Sequence, residues 1–259
     1  MILHSVEHGT GRPLVLLHGL FGHAANFGMV HKWLARHWRV IALDLRNHGA
    51  SPHAPVMAYP DMAEDVLETL RERRALPCAL VGHSMGGKVA MWAALSAPAA
   101  VERLVVADIA PVRYPPLFRP YVEVMAELPL YPGLTRAEAS AAMAAAVHDP
   151  QVRAFLLQNL RLGAKPSWRV NLPALGDSLP YLEGWPPPED PPYRGPALFV
   201  SGARSDYIRS EHRPRIRTLF PEARFVTLKN AGHWLHAENP EGFVGVLEAF
   251  LGGTVTPAA

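Results

Sequence analysis

Short apolar runs alternate with longer stretches of helical spacing through the first part of the chain. The runs Pro13 to Leu17, Arg39 to Leu43, Cys78 to Val81 and Leu104 to Ala107 are continuously apolar rather than alternating, as expected for strands covered on both faces by helices. Between them, about Asn26 to Arg36, Asp61 to Arg73 and Ser84 to Leu95 carry apolar residues at helical intervals. This rhythm predicts a parallel sheet. Ile2 to Glu7, followed by Gly9-Thr10-Gly11, reads as an edge strand and turn.

The rhythm breaks after Pro111. From there to about Pro192 no strand is evident, and three or four helices are predicted instead. Thr135 to Glu138 forms a capping box ahead of an Ala-rich helix, and Asp149-Pro150 caps the next, whose Val152, Phe155, Leu156 and Asn159 share one face. A proline-rich stretch from Trp185 reads as a stiff return. The strand and helix rhythm then resumes with Ala197 to Val200, Arg209 to Leu219, Arg224 to Leu228 and Pro240 to Leu251, and Gly252 to Ala259 reads as a frayed tail. The predicted architecture is therefore an α/β fold: a mostly parallel central sheet with helices on both faces. Residues 1–111 and 193–259 form its core domain, and residues 112–192 an inserted helical cap.

Composition narrows the class. With 259 residues, 49% of them hydrophobic and 19% charged, the chain has material for a substantial core and does not read as disordered. Cys78 is the lone cysteine, so no internal disulfide is possible and a reducing compartment, by default the cytoplasm, is expected. Neither an export signal nor a membrane span is expected, because the apolar runs are only strand length. The pI of 8.8 comes from scattered basic residues, so no nucleic-acid stripe is expected, and Arg71, Arg73 and Arg74 with Glu68 and Glu72 read as a solvated helix face. Oligomeric state leaves no trace in the sequence.

The candidate chemistry centres on Gly82-His83-Ser84-Met85-Gly86-Gly87, which follows an apolar run and opens a helical stretch. That context is the one in which a Gly-x-Ser-x-Gly turn presents a serine nucleophile at a strained bend. A serine hydroxyl needs a base, and a base needs an orienting acid. Chain order favours His233, in Asn230-Ala231-Gly232-His233-Trp234 after the last strand; His236, three residues on, reads as a surface or helix-capping residue. His83 reads as packing beside the serine. Two aspartates stand at strand ends: Asp108, which is favoured, and Asp206, with Ser205 able to add a hydrogen bond to the histidine or the acid. The loop Leu17-His18-Gly19-Leu20-Phe21-Gly22 is placed to supply a backbone donor, so the expected oxyanion-hole donors are the N–H groups of Leu20 and Met85. Phe21 and Trp234 are expected as pocket walls. Asp44 and Arg46 are expected to pin the loop from Asn47 to Ser51, and no metal or other cofactor is required by this chemistry.

Taken together, these motifs resemble the α/β-hydrolase fold family over nearly the whole chain. The strings Asp44-Leu-Arg-Asn-His-Gly-Ala-Ser-Pro-His53, Gly-His-Ser-Met-Gly-Gly-Lys88, Asp108-Ile-Ala-Pro111 and Trp168-Arg-Val-Asn-Leu-Pro-Ala-Leu175 resemble the YbfF-type esterase branch, related to the mitochondrial abhydrolase-domain proteins. The resemblance implies a cofactor-free hydrolase of carboxylic esters or acyl thioesters with small to medium acyl chains, acting through an acyl-enzyme. It also supports Asp108, since that branch keeps Asp-Ile-Ala-Pro and commonly has serine at the position of Ser205. Asp206 departs from the pattern and keeps the acid open. Carbon–carbon bond hydrolysis, lactone hydrolysis or perhydrolysis on the same serine and histidine are the alternatives, with a non-catalytic ligand-binding protein as the alternative of another class.

Overall fold

The computed structural model describes residues 1–186 and 188–252, so the expected tail lies, past Gly252, outside the described residues. The first half of the sheet is built from β1 (Ser5–His8), β2 (Pro13–Leu17), β3 (Arg39–Leu43), β4 (Cys78–His83) and β5 (Val101–Ala107). Helices α1 (Gly28–Leu34), α2 (Tyr59–Glu72) and α3 (Met85–Ser96) run between these strands. Next come α4 (Arg119–Glu127), α5 (Arg136–Ala142), α6 (Pro150–Leu157), the pair β6 (Leu160–Arg161) and β7 (Ser167–Trp168), and α7 (Leu172–Leu182). The chain then re-enters the sheet with β8 (Ala197–Gly202), α8 (Arg213–Leu219), β9 (Ala223–Leu228), α9 (Leu235–Glu238) and α10 (Pro240–Leu251).

The main sheet has seven strands in the order β1-β3-β2-β4-β5-β8-β9, all parallel except β1, which pairs antiparallel with β3. The strands read as unbroken apolar runs because both of their faces are covered. Along β2, Val15 and Leu17 pack with residues of α2 and α3, whereas Leu14 and Leu16 pack on the other face with residues of α1 and α10. Alternate side chains of a strand point to opposite faces, so each run feeds two cores.

Two expectations change. The first strand is Ser5–His8 rather than Ile2 to Glu7. Between Pro111 and Pro192, where no strand was expected, β6 and β7 pair Leu160 with Trp168 and Arg161 with Ser167. Two-residue strands are too short to show a periodicity. The capping box is present as read: Glu138 N–H donates to Thr135 Oγ1 at 3.2 Å, and Thr135 N–H donates to the Glu138 carboxylate at 2.8 Å. Among the described residues, no helix is long and apolar enough to cross a membrane.

Parallel strands deliver their carboxyl ends to one edge of the sheet, where ligands of open α/β sheets bind. Ser84 follows β4, Asp108 follows β5, Ser205 follows β8 and His233 follows β9.

Candidate active site

Ser84 sits between β4 and α3 with φ 52° and ψ −121°, a strained conformation for a residue with a side chain. The positions two before and two after it must be glycine because the turn is crowded. A Cβ on Gly82 would lie 2.1 Å from Gly86 O, and one on Gly86 would lie 2.5 Å from the carbonyl oxygens of Leu17 and His18. The turn is also tied to the next strand by Ser84 N–H, which donates to Ala107 O at 2.9 Å.

His233 Nε2 lies 3.1 Å from Ser84 Oγ, and Nδ1 lies 2.8 Å from Asp108 Oδ2. Because Nδ1 faces a carboxylate it carries the proton, which leaves Nε2 free to accept from the serine hydroxyl. Asp108 is fully buried, and its carboxylate receives three donors: Gly202 N–H on Oδ1 at 3.0 Å, and the Ser205 hydroxyl together with His233 Nδ1–H on Oδ2. Asp206 is exposed and makes no side-chain hydrogen bond among the described residues. Ser205 turns its hydroxyl inward to Asp108, and the one-residue shift sends the next side chain to solvent.

Three groups around His233 escape sequence reading. The Tyr207 ring stacks on the imidazole at 4.0 Å between centroids. His83, expected only to pack, donates from Nε2 to His233 O at 2.7 Å, and burial pushes its pKa well below the ordinary range. The Glu238 carboxylate accepts from Gly232 N–H at 2.9 Å and Trp234 N–H at 3.2 Å, so both flanks of His233 are held. His236 is not a surface residue: it is buried, burial lowers its pKa to about 4, and its ring packs edge-on against His83.

The loop after β2 lies against Ser84, since a Cβ on Gly19 would come 3.2 Å from Ser84 Cβ. The N–H groups of Leu20 and Met85 are not taken up by any other group among the described residues; Met85 is the first residue of α3, where helical N–H groups have no partner within the helix. Gly19 C=O accepts from His18 Nδ1–H at 2.8 Å and from Gly22 N–H at 2.9 Å. In a trans peptide this turns the Leu20 N–H to the opposite side. Phe21, at φ 61°, donates its N–H to His48 Nε2 at 3.1 Å. Burial lowers the pKa of His18 to about 4 and of His48 to about 3, so both rings are neutral near pH 7, and each accepts a backbone N–H at Nε2.

Asp44 acts where expected, accepting from Ala50 N–H at 2.8 Å in the loop and from Ala24 N–H at 2.7 Å. Arg46 does not pin that loop: its guanidinium turns to α2, where it pairs with Asp65 at 2.6 Å, and to Val56 O at 2.9 Å. Lys88 on α3 is buried and donates to Gly184 O at 2.6 Å, and burial, then Arg113, brings its pKa down to about 7.

A cavity of about 240 Å³ opens over Ser84 and His233, walled by Phe21, Trp234, Phe118, Val152, Phe155 and Leu156 among others. A larger open groove of about 1380 Å³ runs beside it and shares Asn26, Phe155, Trp234 and His236, but neither Ser84 nor His233 lines the groove. Among the described residues, no three His, Cys, Asp or Glu side chains converge as a metal site requires.

Residues 14–246 match the family model described as the alpha/beta hydrolase family. The chain belongs to that family. Among relatives of this hydrolase, the sn-1-specific diacylglycerol lipase ABHD11 of Mus musculus is 40% identical over 92% of the chain and 80% of that protein. Esterase YbfF of Escherichia coli strain K12 is 37% identical over 92% of both chains. Among solved structures, a marine microorganism esterase superposes on the hydrolase with a TM-score of 0.93 at 34% identity, covering 96% of this chain and 99% of that one.

Proposed function

We propose that Ser84 is the nucleophile of a carboxylesterase, with His233 as general base and acid and Asp108 as the orienting acid. Ester hydrolysis itself follows from the family and from the esterase and lipase names of relatives at 37–40% identity over most of the chain. The observation that carries the residue roles is the unbroken run of hydrogen bonds from Ser84 Oγ through His233 to the buried Asp108. Ser84 Oγ attacks the ester carbonyl carbon as its proton moves to His233 Nε2. The leaving alcohol or thiol takes that proton as the carbonyl–heteroatom bond breaks. Water then attacks the acyl-enzyme, gives a proton to the same nitrogen, and releases the acid as Ser84 recovers its hydrogen. The N–H groups of Leu20 and Met85 form the oxyanion hole and stabilise the tetrahedral charge. Ser205 steadies Asp108; Asp206 has no part.

Residues 112–192 act as a cap over the site, since Phe118, Val152, Phe155 and Leu156 wall the cavity above Ser84. The cavity is smaller than the roughly 300–1,000 Å³ of sites for drug-sized ligands, which favours esters or thioesters of small to medium acyl chains. The lone, buried Cys78 fits a cytoplasmic location. The test is hydrolysis of p-nitrophenyl butyrate together with fluorophosphonate labelling. Wild type should turn over and label, whereas Ser84→Ala should do neither; a Ser84→Ala protein that keeps wild-type turnover overturns the assignment.

A further inference from the structure

Asn159 lies just past α6, fully buried, with its backbone C=O held by Arg169 N–H at 2.8 Å. Its side-chain NH2 donates to Phe21 O at 2.8 Å and to Leu156 O at 3.2 Å, while Oδ1 is buried with no partner. The orientation is forced, because the flipped amide would set Oδ1 against two carbonyl oxygens. A buried amide with one end unsatisfied is costly, and an apolar side chain of the same shape would escape that cost only by leaving the buried Phe21 C=O without its donor. The amide therefore needs a reason, and it has to lie in the partner it holds.

Phe21 supplies one. It occupies the left-handed region at φ 61°, which a bulky residue keeps only when its surroundings over-determine it. His48 takes its N–H and Asn159 takes its C=O. Three successive peptide planes are thus fixed: Gly19–Leu20 by His18 and Gly22, Leu20–Phe21 by His48, and Phe21–Gly22 by Asn159. The first of these carries the Leu20 N–H. Two of the pins come from the sheet side of the molecule and the third from the far side of the cavity, where α6 presents Val152, Phe155 and Leu156 to the ligand space. Gln158 adds a second tie, accepting from Asn26 Nδ2 at 2.7 Å.

We propose that Asn159 is a positioning residue for ester hydrolysis: it fixes the strained Phe21 peptide, and through it the direction of the Leu20 N–H in the oxyanion hole. The proposal rests on the assignment of Ser84 and the oxyanion hole above.

Asn159→Asp keeps the shape and replaces the donor by an acceptor; Asn159→Ala removes the group. Each is assayed on p-nitrophenyl butyrate with kcat normalised to competent sites by fluorophosphonate titration, and the inhibition constant of phenylboronic acid, whose serine adduct places an oxygen in the hole, is measured alongside. Removing one oxyanion donor outright costs about 10²–10³ in kcat, so displacing it should cost about 10- to 100-fold, with KM within about threefold and the boronate weakened by the same factor as kcat. A purely structural role lowers the number of titratable sites and leaves kcat per site and boronate affinity unchanged, and that result overturns the proposal. Loss confined to KM overturns it as well. Failure of the underlying assignment looks different, because wild type would then neither label at Ser84 nor bind the boronate.

Discussion

Asp108→Asn changes one atom of a buried side chain, and the surroundings dictate which way the new amide turns. Gly202 N–H donates to Oδ1 at 3.0 Å, so the asparagine carbonyl must stay there and its NH2 must take the place of Oδ2. That NH2 then faces His233 Nδ1 across 2.8 Å, a gap that two donors cannot share. The imidazole has to move its proton to Nε2, the nitrogen 3.1 Å from Ser84 Oγ, where it can no longer accept from the serine. The Ser205 hydroxyl can reverse and accept from the amide, so the fold is kept. With the base in the wrong tautomer, kcat should fall about 10⁴-fold, roughly 5 kcal/mol of barrier. The assay is steady-state hydrolysis of p-nitrophenyl butyrate with a circular-dichroism melt as the control for folding, and Asp206→Asn should behave as wild type. Retention of more than about a tenth of kcat by folded Asp108→Asn, or an equal loss in Asp206→Asn, refutes this chain of reasoning.

Other outcomes follow from packing and charge. Gly82→Ala drives a methyl to 2.1 Å from Gly86 O and should abolish soluble, active protein; normal expression and turnover would show that the turn can open. Lys88 has a pKa of about 7 in the fold against an ordinary 10.5, so from about pH 7 to about 10.5 the unfolded chain binds the extra proton and stability rises with pH. Lys88→Met should flatten that rise in Tm between about pH 7 and 9, and an unchanged slope counts against the buried ammonium. His18 remains neutral down to about pH 4 while its unfolded counterpart protonates near 6.5, so its stabilising effect is complete above 6.5 and is lost as pH falls toward 4. The loss is at most about 3 kcal/mol, and denaturant titrations across that range should show a slope that His18→Asn reduces.

The parts of the site carried by local sequence were legible. Ser84 sits in a glycine-flanked turn whose crowding is a property of adjacent residues, and His233 follows from chain order along a parallel sheet. The sequence favours Asp108 over Asp206, but both stand at strand ends, and what parts them, the inward turn of Ser205 and the contact with His233, is made only in the fold. His18 and His48 were visible as His-Gly dipeptides, yet their tasks depend on partners 27 residues away in each case, Leu45 and Phe21. Tyr207 and Glu238 gave no signal, since a stacked ring and a loop clamp are made only by tertiary packing, and Asn159, legible only as sharing a helix face with Val152, Phe155 and Leu156, showed nothing of its contact with Phe21 138 residues away. His236 was misread because three residues past His233 sounds like a helix surface, whereas the short α9 turns it inward.

The hydroxyl of Ser84 and the His233 imidazole, 3.1 Å from it, are 149 residues apart along the polypeptide. A chain that ends before residue 233 therefore holds the serine of the strained turn without the imidazole proposed to activate it, so truncation ahead of that residue and loss of turnover should coincide.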